Sequence, residues 1–146
     1  MTPNYRDRAA AVAAFFETLS PASVAQLPLY YAPQAVFKDP FNEVQGLGAV
    51  TAIFAHMYET LTNPYFVITG SLVDGDQAFL TWEFKFKFKR FDTQTLQTVR
   101  GGTHLRFDAQ GLIALHRDYW DAAEELYEKL PLLGGVMRWL KARAAV

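Results

Sequence analysis

Apolar positions recur at helical spacing in the first part of the chain. Val12, Phe15, Phe16 and Leu19 fall at i, i+3, i+4 and i+7, one face of a helix predicted over about Tyr5 to Leu19. Ser20 and Pro21 read as the N-cap and first-turn proline of a short second helix ending at Pro28. A short strand follows around Ala35 to Lys38. It stops at Asp39-Pro40, because proline disfavours the helical region for the residue before it and has no N–H for a ladder. Phe41 to Gly46 reads as a loop. Val50, Ile53, Phe54, Met57 and Leu61 form the apolar stripe of a third helix, Leu47 to Leu61, ended by Asn63-Pro64.

From Tyr65 the period changes to two. Tyr65 to Val73 is predicted as a strand, with a hairpin turn at Asp74-Gly75. The next strand carries the clearest alternation: Ala78, Leu80, Trp82, Phe84, Phe86 and Phe88 against Phe79, Thr81, Glu83, Lys85, Lys87 and Lys89. A polar loop at Asp92 to Thr95 leads to a strand from about Leu96 to Phe107. Asp108 to Gly111 is a turn, and Leu112 to Trp120 the last strand. Asp121 to Glu124 reads as a capping box opening a final helix, broken at Pro131, loosened at Gly134-Gly135 and resumed over Val136 to Ala144. Helices followed by strands in hairpin succession predict an α+β domain with helices on one face of an antiparallel sheet. If that sheet is strongly curved, helices across its open side leave a conical cavity suited to a ligand.

Composition narrows the function classes. The chain has 146 residues, 51% of them apolar and 15% aromatic, enough for one domain with a real core. A net charge of -1 argues against nucleic-acid binding. No apolar run reaches a membrane span, so no membrane partner is expected. Arg6 and Arg8 precede an alanine-rich run, but Asp7 and Glu17 flank it and its apolar residues lie on one helical face, so a cytoplasmic protein is expected rather than a secreted one. There are no cysteines, which excludes disulfides and thiol chemistry. His56, His104 and His116 are scattered, with no third ligand spaced to join His116-x-Asp118, so neither metal nor cofactor is expected.

Two carboxylates could carry chemistry. Asp39, where strand meets loop, is either a general base pointing into a cavity or a turn aspartate accepting backbone N–H bonds. His116, Asp118 and Trp120 share one face of the last strand, opposite Ile113, Leu115, Arg117, Tyr119 and Asp121. Turned inward, they give a cavity wall a histidine, a carboxylate and an indole. Thr103 and His104 lie on opposite faces of the neighbouring strand, Thr103 belonging to the better inward set. Asp121 is more simply a helix cap, and His56 a surface residue. The lysines of the aromatic strand read as a solvated face that discourages edge pairing.

The element order, with Ala35-Val36-Phe37-Lys38-Asp39-Pro40 and His116-Arg117-Asp118-Tyr119-Trp120-Asp121, resembles the nuclear transport factor 2-like superfamily, in particular its SnoaL-like group of cone-shaped proteins. That superfamily holds isomerases, epoxide hydrolases, polyketide cyclases, dehydratases and plain binding modules. The resemblance implies that the Asp118 face turns inward. Asp39 matches the ketosteroid isomerase base, but Thr103 and Phe15 or Phe16 stand where that enzyme has its oxyanion donors, which argues against the steroid reaction. Arg117 to Asp121 is similar to a segment of limonene epoxide hydrolase and puts Asp118 on its water-activating aspartate. Phe37 and Asp39 fall where that enzyme holds its water, and Glu83 is a possible substitute acid. Comparison with polyketide cyclases pairs Asp118 with a histidine on the preceding strand, matched by His104 or Thr103 according to register.

The reading that follows is a pocket for a small hydrophobic molecule with acid–base capacity. Asp118 is the first choice of base and Asp39 the second, with Phe37, Tyr58, Trp82, Phe84, Thr103, His104, His116 and Trp120 as wall and binding residues. The alternatives are a non-catalytic binding module and a dimerisation scaffold. A homodimer is expected from the resemblance, and the run Trp82, Phe84, Phe86, Phe88 must either line a core and cavity or be covered by a second subunit.

Overall fold

The computed structural model describes residues 2–125 and 131–145. Helix α1 spans Tyr5–Glu17, capped by the Asn4 side chain, which accepts from the Asp7 N–H at 3.1 Å. It buries Ala9, Val12, Phe15 and Phe16, the face its spacing predicts. A 3₁₀ helix covers Ala22–Leu29. Strand β1, Tyr31–Lys38, begins earlier than the sequence suggests. The segment read as a loop contains a short strand, β2, at Glu43–Gln45, which pairs antiparallel with the end of β1. Three residues are too few to show a period, and the pairing is set by the Asp39 turn.

Helix α2, Leu47–Thr60, runs directly into β3, Leu61–Asp74. Asn63-Pro64 therefore does not sit between helix and strand. It lies inside β3 as an irregularity in the pairing between Thr62 and Tyr65, with Asn63 at φ 48°. β3 is the edge of the sheet, where a proline is tolerated. Strand β4 spans Gln77–Phe88, β5 Gln97–Phe107 and β6 Ile113–Tyr119. The two-residue turn joining β3 to β4 is Gly75-Asp76, with Gly75 at φ 58°.

The six strands form one curved, unclosed sheet in the order β2-β1-β6-β5-β4-β3. All neighbours are antiparallel except β1 and β6, which run parallel from Tyr31↔Ile113 to Lys38↔Arg117. The main core packs α1, α2 and the 3₁₀ helix against the inner face through residues such as Val12, Leu27, Phe54, Leu80 and Leu105. Trp82, Phe86 and Val99 form a second buried cluster further along the sheet.

Helix α3, Ala122–Glu125, is capped by Asp121, whose carboxylate accepts from the Glu124 N–H at 3.1 Å. The Glu124 side chain turns to Arg100 and Lys141 instead of closing the box. Buried Glu125 meets Arg100 at 2.7 Å, pinning α3 to β5. Helix α4 spans Pro131–Ala144. Pro131 opens this helix, as first-turn proline can, and the helix continues through Gly134-Gly135. No helix among the described residues is long and apolar enough to cross a membrane.

Candidate functional site

A cavity of about 360 Å³ lies between the inner face of the sheet, α1 and α2. Its walls are mainly aromatic. The inward residues of β4 contribute Trp82, Phe84, Phe86 and Phe88, and Phe66 of β3 stacks on Phe84 at 4.5 Å. The aromatic run of β4 thus faces the cavity, one of the two arrangements its pattern allows. Phe41 and Trp120 meet edge to face at 5.5 Å beside the opening.

The polar groups form one connected chain. Register sets Thr103 opposite Asp118 across β5 and β6, so both point inward. Asp118 Oδ1 accepts from Thr103 Oγ1 at 2.6 Å and meets His116 Nε2 at 2.7 Å. Trp82 Nε1 donates to Thr103 Oγ1 at 2.8 Å. On the other side Tyr31 Oη lies 2.7 Å from His116 Nδ1. An indole N–H can only donate, so the threonine hydroxyl accepts from it and passes its own proton to Asp118. Burial, then the nearby charge of Asp118, push the Tyr31 phenol well above its ordinary value, so it stays protonated and has an O–H to offer Nδ1. With that O–H on Nδ1, the imidazole turns an Nε2–H toward the carboxylate. Every bond in the chain therefore points toward one oxygen of Asp118.

His116 is held between Tyr31 and Asp118 and packed against Phe37 at 4.6 Å, with its side chain 4% exposed. Both its nitrogens are occupied, so it orients the aspartate rather than reaching for a ligand. The Asp118 side chain is 17% exposed and lines the cavity, and its second oxygen, Oδ2, has no hydrogen-bond partner among the described residues. Oδ2 is the oxygen left for a bound molecule.

Glycine makes room for this arrangement. A Cβ on Gly101 would stand 2.6 Å from Trp82 Cη2 and 2.8 Å from the Tyr119 carbonyl oxygen. The indole can lie across β5 and reach Thr103 only because that side chain is missing.

Of the residues singled out from sequence, Phe37, Trp82, Phe84, Thr103, His116, Asp118 and Trp120 line the cavity. Asp39 also lines it, at the opening, but its Oδ1 accepts the backbone N–H groups of Phe41 and Asn42 at 2.8 and 2.6 Å. It is the turn aspartate of the two readings, holding the β1–β2 connection. His104 faces the opposite side of the sheet, where its Nε2 meets Gln77 Oε1 at 2.9 Å. The register left open by the cyclase comparison therefore places Thr103 beside Asp118 and removes His104 from the site. Tyr58 packs against the main core and does not line the cavity. Glu83 pairs in register with Arg100, on the face opposite Trp82, and is no acid for this cavity. His56 is exposed but stands at the opening, paired with Glu59 at 3.9 Å. Sequence reasoning missed Tyr31, the outer partner of His116. Its signal was weak, since it precedes the recognisable part of β1. No three His, Asp or Glu side chains among the described residues are grouped to hold a metal ion.

Comparison with known proteins matches this geometry at the level of the fold. The family model of the SnoaL-like domain matches residues 12–116, ending at His116 and short of Asp118. A search of curated proteins found no match. Among solved structures, an LEH-like epoxide hydrolase of M. tuberculosis aligns with 100% of both chains at 16% identity and a TM-score of 0.71. A Jannaschia sp. CCS1 protein described as a SnoaL-like polyketide cyclase aligns at 16% identity over 85% of this chain and 92% of its own, with a TM-score of 0.70. A Catenulispora acidiphila DSM 44928 protein with a ketosteroid isomerase-like fold, solved with trimethylamine, is 20% identical over 86% of this chain and 92% of its own, with a TM-score of 0.67. The helices, the curved sheet and the family match over residues 12–116 lead to one conclusion: the chain belongs to the SnoaL-like domain family.

Proposed function

We propose that the protein takes a small hydrophobic molecule into its cavity and uses Asp118 as a general base toward it. The observation that carries this reading is the asymmetry of the carboxylate. Oδ1 is fixed by His116 and Thr103, while Oδ2 is left to the cavity. A base held in one orientation, with one lone-pair face presented in an apolar site, suits proton abstraction next to a carbonyl or activation of a water molecule. The proton is accepted on Oδ2, and the two hydrogen bonds to Oδ1 persist through the step. A cavity of about 360 Å³ lies within the size range of small-molecule sites. Family kinship with isomerases, cyclases and epoxide hydrolases agrees with acid–base chemistry of this kind without choosing among the three.

The test is Asp118→Asn, which keeps shape and loses basicity. With a substrate from a panel of hydrophobic ketones, lactones and epoxides, turnover should fall about 10²–10⁴-fold while ligand affinity changes little. Unchanged turnover rejects the assignment.

A second reading is favoured by the 2.7 Å contact of Asp118 with His116, which is also ion-pair geometry. In it the protein is a binding module and Asp118 only hydrogen-bonds the ligand. Recovery of every bound ligand unaltered after long incubation selects this reading over catalysis.

A further inference from the structure

We infer that the cavity is built to receive an organic cation, an ammonium or similarly charged nitrogen centre carried on a hydrophobic body. This rests on the cavity being the ligand site proposed above, and adds the charge of what it takes.

Three features of the lining lead there. The first is its charge. Among the described residues that line the cavity, Asp39 and Asp118 are carboxylates, and neither Lys nor Arg is present. The lysines of β4 alternate to the other face: Lys85 bonds Thr98 Oγ1 at 3.1 Å. The imidazole at the floor offers a ligand nothing, because its Nδ1 is taken by the Tyr31 hydroxyl and its Nε2 by Asp118 Oδ1. An anionic ligand would meet a carboxylate in an apolar enclosure that offers it neither Lys nor Arg among the described lining residues, which is unfavourable.

The second is the walls. Nearly half of the lining residues are Phe or Trp. Ring faces carry negative potential and attract cations, most strongly where water is excluded. Trp82 and Trp120 flank the strand positions of Thr103 and Asp118, and Phe37 packs on the ring of His116.

The third is the unmet oxygen. Asp118 Oδ2 lacks a donor among the described residues, while Thr103 and His116 both meet Oδ1. A cation against Oδ2 supplies the missing charge, and the rings enclose its apolar substituents. A neutral hydrophobic ligand fills the walls but leaves Oδ2 unserved.

The experiment compares three ligands of similar size: benzyltrimethylammonium, its uncharged isostere neopentylbenzene, and the anion phenylacetate. The quaternary nitrogen cannot lose a proton or donate a hydrogen bond, so its advantage over the isostere reads charge alone. Binding is followed by tryptophan fluorescence in the Trp139→Phe variant, which removes the exposed indole on α4 and leaves Trp82 and Trp120 as reporters. The cation should bind at least about tenfold tighter than neopentylbenzene, and phenylacetate should not bind measurably. In Asp118→Asn the preference should shrink to about threefold or less while neopentylbenzene affinity is kept, which also reports that the variant is folded. Phe37→Leu gives a second check, lowering cation affinity more than isostere affinity.

Equal binding of cation and isostere overturns the charge inference and leaves a hydrophobic ligand site standing. Phenylacetate binding as well as the cation overturns it too. If none of the three binds, the cavity is no ligand site, and this inference falls with the proposed function.

Discussion

One oxygen of one carboxylate organises this site. Four side chains, Trp82, Thr103, His116 and Tyr31, are arranged so that their protons run toward Asp118 Oδ1. Tyr31→Phe removes the outermost donor and leaves His116 Nδ1 buried and unpaired. It should cost about 1–3 kcal/mol of stability in denaturant unfolding and change the imidazole nitrogen signals of His116 in NMR. An unchanged midpoint would mean that Nδ1 finds another donor. At this scale the sequence revealed the members better than their roles. The period of two placed His116, Asp118 and Trp120 on one face, and the resemblance chose inward for that face. Asp39 could not be resolved from sequence, because the same Asp-Pro pair serves a base or a turn, and only the N–H groups of Phe41 and Asn42 on Oδ1 decide. Tyr31 lay beyond reach because its partner is 85 positions away along the chain.

At the scale of elements, periodicity worked where elements were long and amphipathic. The aromatic face of β4 and the buried face of α1 follow their spacing closely. It failed at β2, which is too short for a period, and at Asn63-Pro64, where a local breaker is absorbed by an edge strand. Alternation along β5 put Thr103 in the inward set, as found, whereas the cyclase comparison left Thr103 or His104 open because a one-residue slip in that match reverses the face. The element most sensitive to a single methyl group is β5. Gly101→Ala puts that group against the Trp82 ring and the Tyr119 carbonyl. The indole must move, and its bond to Thr103 should be lost. Trp82 fluorescence should shift and thermal stability should drop by about 1–3 kcal/mol. Retention of both would show that β5 and β6 separate easily at this point.

For the molecule as a whole, burial of phenols makes stability depend on alkaline pH. Desolvation pushes Tyr58 up from 10.0 to about 12, and Tyr31 is raised by burial and by Asp118. The unfolded chain therefore releases these protons first. The contribution is complete below pH 10 and is lost as pH rises from 10 through about 12. Thermal midpoints should fall across that window, while tyrosinate absorbance of the folded protein lags that of the denatured one. Tyr58→Phe should reduce the slope, and it carries little penalty of its own because the Tyr58 hydroxyl is buried without a partner among the described residues. Fold class was readable at this scale, since helices followed by alternating strands leave few architectures.

The parallel union of β1 with β6 has a consequence for how the protein comes into being. β6 enters between β1 and β5, so it joins segments on either side of the intervening hairpins. During synthesis α1, α2 and the β3–β4–β5 meander can emerge and pair with near neighbours, whereas the Asp118 carboxylate arrives on the strand that completes the sheet. Loop-closure entropy defers that long-range step, so an assembling chain has its aromatic walls before the Asp118 carboxylate joins them.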